Sequence, residues 1–185
     1  MKLPIVAYGD PILRKVCTDI TQDYPDLNQL INNMFDTMYA ASGVGLAAPQ
    51  VGLPIRLFIV DIGGEEDEEN FKKVFINAEI LEETGEPWSF NEGCLSIPDI
   101  REDVFRKPNV RIKYFDEHWK AQEIQVSGMP ARVIQHEYDH TQGKLFTDTL
   151  SLLRKRMLKS KFDAIAKGDI KTDYKMKYPQ QRKRR

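Results

Sequence analysis

The chain has 185 residues, 41% hydrophobic and 30% charged, enough to bury the core of one globular domain and calling for no second. No apolar stretch approaches a membrane span, and Cys17 and Cys94 are too few for a disulfide framework, leaving one bridge as a formal option. The net charge of -1 hides an asymmetry: thirteen Lys/Arg face three Asp/Glu between Arg154 and Arg185, while the preceding body is acidic.

At the start, Pro4 interrupts a very short apolar run and no small-residue cleavage site follows, so no signal peptide is expected. The reading is a soluble cytoplasmic protein with reduced thiols that engages neither membrane nor DNA. Gly9-Asp10-Pro11 signals a turn, and residues 1–22 read as an extended arm wrapping the rest. Leu27, Leu30, Ile31, Met34, Phe35 and Met38 then recur at helical spacing, with Ser42-Gly43 at the end, and predict an amphipathic helix.

Residues 43–52 are too rich in Gly and Pro for either regular element. No Gly-Lys-Ser/Thr closes the stretch, so it is a poor phosphate loop, but its small residues allow a ligand close to the backbone. Arg56 to Ile62 reads as a buried strand, 63–70 as a solvated acidic loop, and Lys73 to Ala78 and Ile80 to Glu83 as two short strands. Trp88 to Pro98 reads as irregular, and its Cys94 is either a small buried residue or a metal ligand presented by a loop. Val110 to Phe115 and Ala121 to Val126 alternate as strands around a polar turn that exposes His118.

Ser127-Gly128 introduces a helix carrying His136-Glu137-Tyr138-Asp139-His140, an H-E-x-x-H motif. At about 100° per residue the two histidines stand about 40° apart, so both imidazoles can reach one ion. Glu137 lies about 60° round from His140, placed as a carboxylate base beside a divalent metal. Met129 and Val133 share the stripe of the histidines and should line an apolar wall next to the metal, and Gly143 should end the helix. Ser151 to about Ala166 predicts one more helix, and residues 168–185 a basic tail expected to fray. The fold class is α+β: mostly antiparallel sheets packed around a central metal-binding helix, with an N-terminal and a C-terminal helix in one domain over 1–167.

Three stretches combine: Gly43-Val44-Gly45-Leu46-Ala47-Ala48-Pro49-Gln50, Glu92-Gly93-Cys94-Leu95-Ser96 and His136-Glu137-Tyr138-Asp139-His140. In this order they resemble the three signature motifs of the peptide deformylase family, and the likeness runs from Ile5 through Phe146. The resemblance implies hydrolytic removal of the formyl group from the N-terminal formylmethionine of nascent peptides. By similarity Cys94, His136 and His140 hold the metal, with water in the open fourth position. Glu137 then takes and returns the proton, while the Gln50 side-chain amide and the Leu95 N–H receive the developing oxyanion.

The resemblance also lays the peptide along Gly45 and Gly93, and seats its methionine among Val44, Phe90, Met129 and Val133. It implies Fe2+ in the cell, with Zn2+, Ni2+ or Co2+ able to bind, and cytoplasmic work on nascent chains; the basic C-terminal end reads as a solvated helix and tail, with ribosome docking as the alternative. Asp139 reads as a salt-bridge residue, paired with Arg101. A zinc endopeptidase sharing H-E-x-x-H and an inactive ribosome-associated binding protein are the competing readings.

Overall fold

The computed structural model describes residues 1–63 and 71–179. The acidic loop expected at Glu65 to Glu69 and the last residues, 180–185, lie outside the described residues.

In chain order, the arm forms strand β1 (Ile5–Val6) and a 3-10 turn at Pro11–Arg14, where the Asp10 carboxylate accepts from the Ile12 N–H. Helix α1 (Leu27–Ala40) follows the predicted stripe, burying Leu27, Ile31, Met34, Phe35 and Met38. Ser42, at φ 55°, lets the chain turn back so that the Gly43 N–H reaches the Met38 carbonyl at 2.9 Å and ends the helix. Strand β2 (Gly45–Ala47) and a 3-10 turn (Ala48–Val51) come next, so the glycine-rich stretch contains regular structure after all. Its small residues fit because β2 is buried on both faces, pairing with β3 (Leu57–Ile62).

Strand β4 (Phe71–Thr84) replaces the two short strands expected there. A bulge between Ile76 and Glu79 breaks the apolar alternation, which is why the sequence reads as two pieces. Asn77, at φ 51°, turns its amide out of the ladder to bond both backbone groups of Ile20, at 3.0 and 2.8 Å, stitching the arm to the sheet. The irregular stretch also proves regular: β5 (Trp88–Cys94) and β6 (Ile97–Arg106) form a hairpin closed over Leu95-Ser96. Strands β7 (Asn109–Phe115) and β8 (Ala121–Ser127) complete an antiparallel sheet of order β2-β3-β4-β7-β8, with His118 exposed in their turn.

Helix α2 (Gly128–Thr141) crosses this sheet, seating Ala131, Val133 and Ile134 among Phe58, Phe75, Val110 and Ile112. Its other side meets the β5–β6 hairpin, so the helix is wrapped nearly all round, as the sequence reading placed it. Gly143, at φ 70°, turns the chain out of it. Helix α3 (Leu152–Lys167) starts at Ser151, whose hydroxyl accepts from the Arg154 N–H, and buries Leu158, Phe162 and Ile165 against Leu13, Ile97 and Val104. Burying one such side chain contributes about 1.5–3 kcal/mol.

The basic tail is corrected up to Pro179. Instead of fraying after Gly168, the chain returns along the body and forms β9 (Met176–Lys177), which pairs in parallel with β1. Ile170, Tyr174, Met176 and Tyr178 pack against the core, with an apolar residue at every second position from Tyr174 to Tyr178. That period-2 pattern lets a stretch rich in lysine bury one face and leave its charges in water.

Candidate metal centre

Three elements converge on one point. α2 supplies His136, Glu137 and His140, the end of β5 supplies Cys94, and the 3-10 turn after β2 supplies Gln50. Cys94 Sγ lies 3.3 Å from His140 Nε2, and one donor atom from each of Cys94, His136 and His140 falls within 4.8 Å of the others. Both cysteines are free thiols, so no disulfide competes for Cys94.

The ring of His136 is aimed by a residue the sequence reading quoted without giving it a role. Glu92 Oε2 stands 3.1 Å from His136 Nδ1, which leaves Nε2 to face Cys94 and His140. Glu92 is itself fixed: Arg132 meets it at 2.6 Å and Arg106 at 2.8 Å, and the Arg132 guanidinium lies 4.1 Å over the Trp88 ring. Desolvation pushes the Glu92 carboxyl up, but His136 and Arg106 outweigh it and hold it down at about 2, an ionised group in the interior. A buried metal histidine calls for such a carboxylate partner, and that demand is the one signal that points to Glu92 from sequence.

Asp139 pairs with Arg106 at 2.7 Å, and not with Arg101 as expected. Side chains alternate along β6, so Arg106 points inward while Arg101, an odd number of residues away, lies on the opposite face and bonds Asn91.

Burial pushes the Glu137 carboxyl up to about 7, against the pull of His136 and Arg106. Its Oε2 is buried and has no partner among the described residues. Gln50 is held by its own turn: its Oε1 accepts from the Ala47 N–H at 2.8 Å. The amide nitrogen is thereby directed at Cys94 Sγ and Ser96 Oγ, 3.4 and 3.3 Å away. A cleft of about 710 Å³ opens over these groups, lined among others by Val44, Gly45, Phe90, Gly93, Met129 and Val133. Leu95 lines it as well, and His140 lies behind it, 1% exposed.

The donor set fits a divalent transition metal. One thiolate and two imidazoles converge, the open cleft leaves a fourth direction for water or substrate, and the unpartnered Glu137 oxygen faces the same region. Three candidate ligands beside a buried carboxylate fit one class, the metal-dependent hydrolases.

Comparison with known proteins gives the family. A family model described as polypeptide deformylase matches residues 2–156. The peptide deformylase of Christiangramia forsetii is 57% identical over 196 residues, spanning 100% of both chains. That of Flavobacterium johnsoniae is 54% identical, again over 100% of both. The crystal structure of a peptide deformylase from Legionella pneumophila superposes with a TM-score of 0.80 at 42% identity, covering 88% of this chain and 94% of that one. The chain belongs to the polypeptide deformylase family, metal-dependent enzymes that remove the N-formyl group of new peptides. Neither the zinc endopeptidase nor the inactive binding protein draws support from these likenesses. Among the described residues no helix is long and apolar enough to cross a membrane.

Proposed function

We propose that this chain is a cytoplasmic deformylase of N-formylmethionyl nascent peptides, with Cys94, His136 and His140 as metal ligands and Fe2+ as the metal used in the cell. The observation that carries the reading is the convergence of those three donors beside the buried Glu137, in a cleft large enough for a peptide end. When bound, the metal supplies Lewis acidity that makes a water nucleophilic near pH 7.

The remaining steps fall to the protein. Glu137, held near neutrality by burial, takes the proton of the attacking water and returns it to the amine as formate leaves. The Gln50 amide nitrogen and the Leu95 N–H receive the negative charge that grows on the formyl oxygen, and losing one such donor costs about 2.7–4 kcal/mol of barrier. Gly45 and Gly93 give the peptide backbone room, and Val44, Phe90, Met129 and Val133 form the apolar seat of the methionine. Glu92 orients His136, and the single catalytic domain extends through β9.

The test is formate release from formyl-Met-Ala-Ser by anaerobically purified protein, compared with Glu137→Ala. Formate from the parent and next to none from the variant is expected. Metal in both proteins and formate from neither would sink the reading. For the metal's identity, activity should decay faster in air than under argon, and equal decay would remove iron.

The excess of basic residues after Arg154 supports a second element of the reading, ribosome contact through the C-terminal end. Deleting 180–185 leaves β9 in place and should lower co-sedimentation with ribosomes at low salt. Unchanged co-sedimentation would take those residues out of the proposal.

A further inference from the structure

The N-terminal arm and the segment that follows α3 meet at the turn after Cys94. Leu95 and Ser96 form the β5–β6 turn, and each of their carbonyls accepts a hydrogen bond from one of these two segments. The Tyr174 hydroxyl donates to the Leu95 carbonyl at 2.8 Å, across 79 residues of sequence. The Tyr8 N–H donates to the Ser96 carbonyl, also at 2.8 Å.

The parallel β1–β9 pair ties these two anchors together. The Ile5 N–H reaches the Lys175 carbonyl at 2.8 Å, and the Ala7 N–H reaches that of Lys177 at 2.9 Å. Gly168, at φ 77°, turns the chain back from α3 toward this position, and Lys171 to Tyr174 then line the same cleft as Val44 and Leu95. The Tyr174 ring is partly buried against the core cluster that contains α1. The match to the family model ends at residue 156, so nothing in that match assigns this segment a role.

We propose that Tyr174 is a positioning residue for deformylation, holding the Leu95 carbonyl so that the N–H of the same residue stays aimed at the developing oxyanion. The inference rests on the reading of Leu95 as an oxyanion donor. The carbonyl belongs to the 95–96 peptide plane and the N–H to the 94–95 plane. With Cys94 paired to Ile97 on one side, pinning the carbonyl on the other limits rotation of the plane that carries the N–H. A donor is useful to a transition state only if it is already in place. The ground-state peptide needs that donor less, so loss of the hydroxyl should fall on kcat and spare KM.

The test uses Tyr174→Phe in the full-length, metal-loaded chain, since Phe keeps the ring and removes only the hydroxyl. On formyl-Met-Ala-Ser, kcat should fall roughly five- to tenfold, a fraction of the 10²–10³ lost with a whole donor. KM should stay within about twofold, metal content and melting temperature should match the parent, and amide exchange at Leu95 should quicken. A kcat within about twofold of the parent's, or a fall that tracks lost metal or a lower melting temperature, would overturn the proposal. If the parent itself releases no formate, the deformylase reading fails separately. Exchange at Leu95 then decides the matter of Tyr174, and an unchanged rate overturns its role.

Discussion

Gly45 and Glu137 stand so close that one side chain exists at the expense of the other. A Cβ built on Gly45 would lie 2.5 Å from Glu137 Oε1 and 2.9 Å from its Cδ, well inside contact distance. Gly45 is also paired to Val60 in the sheet, so the backbone cannot yield without breaking a ladder. The glycine is therefore part of how the carboxylate is placed.

Gly45→Ala should displace the Glu137 carboxylate and lower kcat/KM by about 100-fold, the size expected for a catalytic group moved by about 1 Å. Overpacking costs about 1–3 kcal/mol of stability, so activity is to be compared where both proteins are folded. Activity equal to the parent's would show that Glu137 has no need of its present position.

Glu92→Gln removes the negative charge shared by Arg106, Arg132 and His136. Two arginines would then lack their central counter-charge, a change worth about 3–5 kcal/mol of stability. His136 would lose its orienting carboxylate, which should weaken metal binding by about 10–100-fold. Denaturant melts and competition with a chelator measure the two effects. Unchanged affinity would mean that packing alone aims the ring.

Metal removal should create one reactive thiol where the loaded enzyme has none. Burial pushes the Cys17 thiol up to about 11, and its N–H is tied to the Thr141 carbonyl, so it should be inert in the folded protein. Cys94 lines the open cleft and should be shielded only when a metal is bound there. At pH 8 the metal-loaded enzyme should resist alkylation, and the chelated enzyme should take one label, at Cys94. Labelling of Cys17 in the folded protein would contradict its burial.

Arg14 and Asp148 tie the N-terminal arm to the 3-10 turn at Phe146–Thr149. Partial burial raises the Asp148 carboxyl, but Arg14 and the Leu145 N–H together hold it below its ordinary value. A depressed carboxylate stabilises the fold fully above its unfolded pKa of about 3.9, and the contribution is lost as pH falls through the folded value. Both partners are close to half exposed, so solvent screening leaves about 0.5–1 kcal/mol at pH 7. Asp148→Asn should be less stable by that amount at pH 7 and equal to the parent once pH has fallen below the folded-state value. A gap that persists in acid would assign the loss to something other than charge.

Periodic features were open to a reading from sequence, and features made by distant partners were not. The stripe of α1 announces itself because that helix buries one face repeatedly, and the shared side of His136 and His140 on α2 follows from the same 3.6-residue geometry. Cys94 has no periodic signature and became a ligand only through resemblance to a family. Glu92 was passed over because a lone glutamate normally sits in water, and its burial depends on Arg106, Arg132 and His136, 14 to 44 residues away. Tyr174, Met176 and Tyr178 did carry a signal, alternation over five residues, but the surrounding lysines masked it.

The β1–β9 pair bears on when the enzyme becomes competent during its own synthesis. Ile5 leaves the ribosome long before its partner Met176, so the arm has no strand to dock on until β9 has been made. The contact spans almost the whole sequence, and a loop that long closes late and slowly. The bulk of the domain can assemble first, with the turn after Cys94 still unclamped. An enzyme for nascent chains thus passes through a stage in which its own nascent chain contains Cys94, His136 and His140 and lacks the β1–β9 pair.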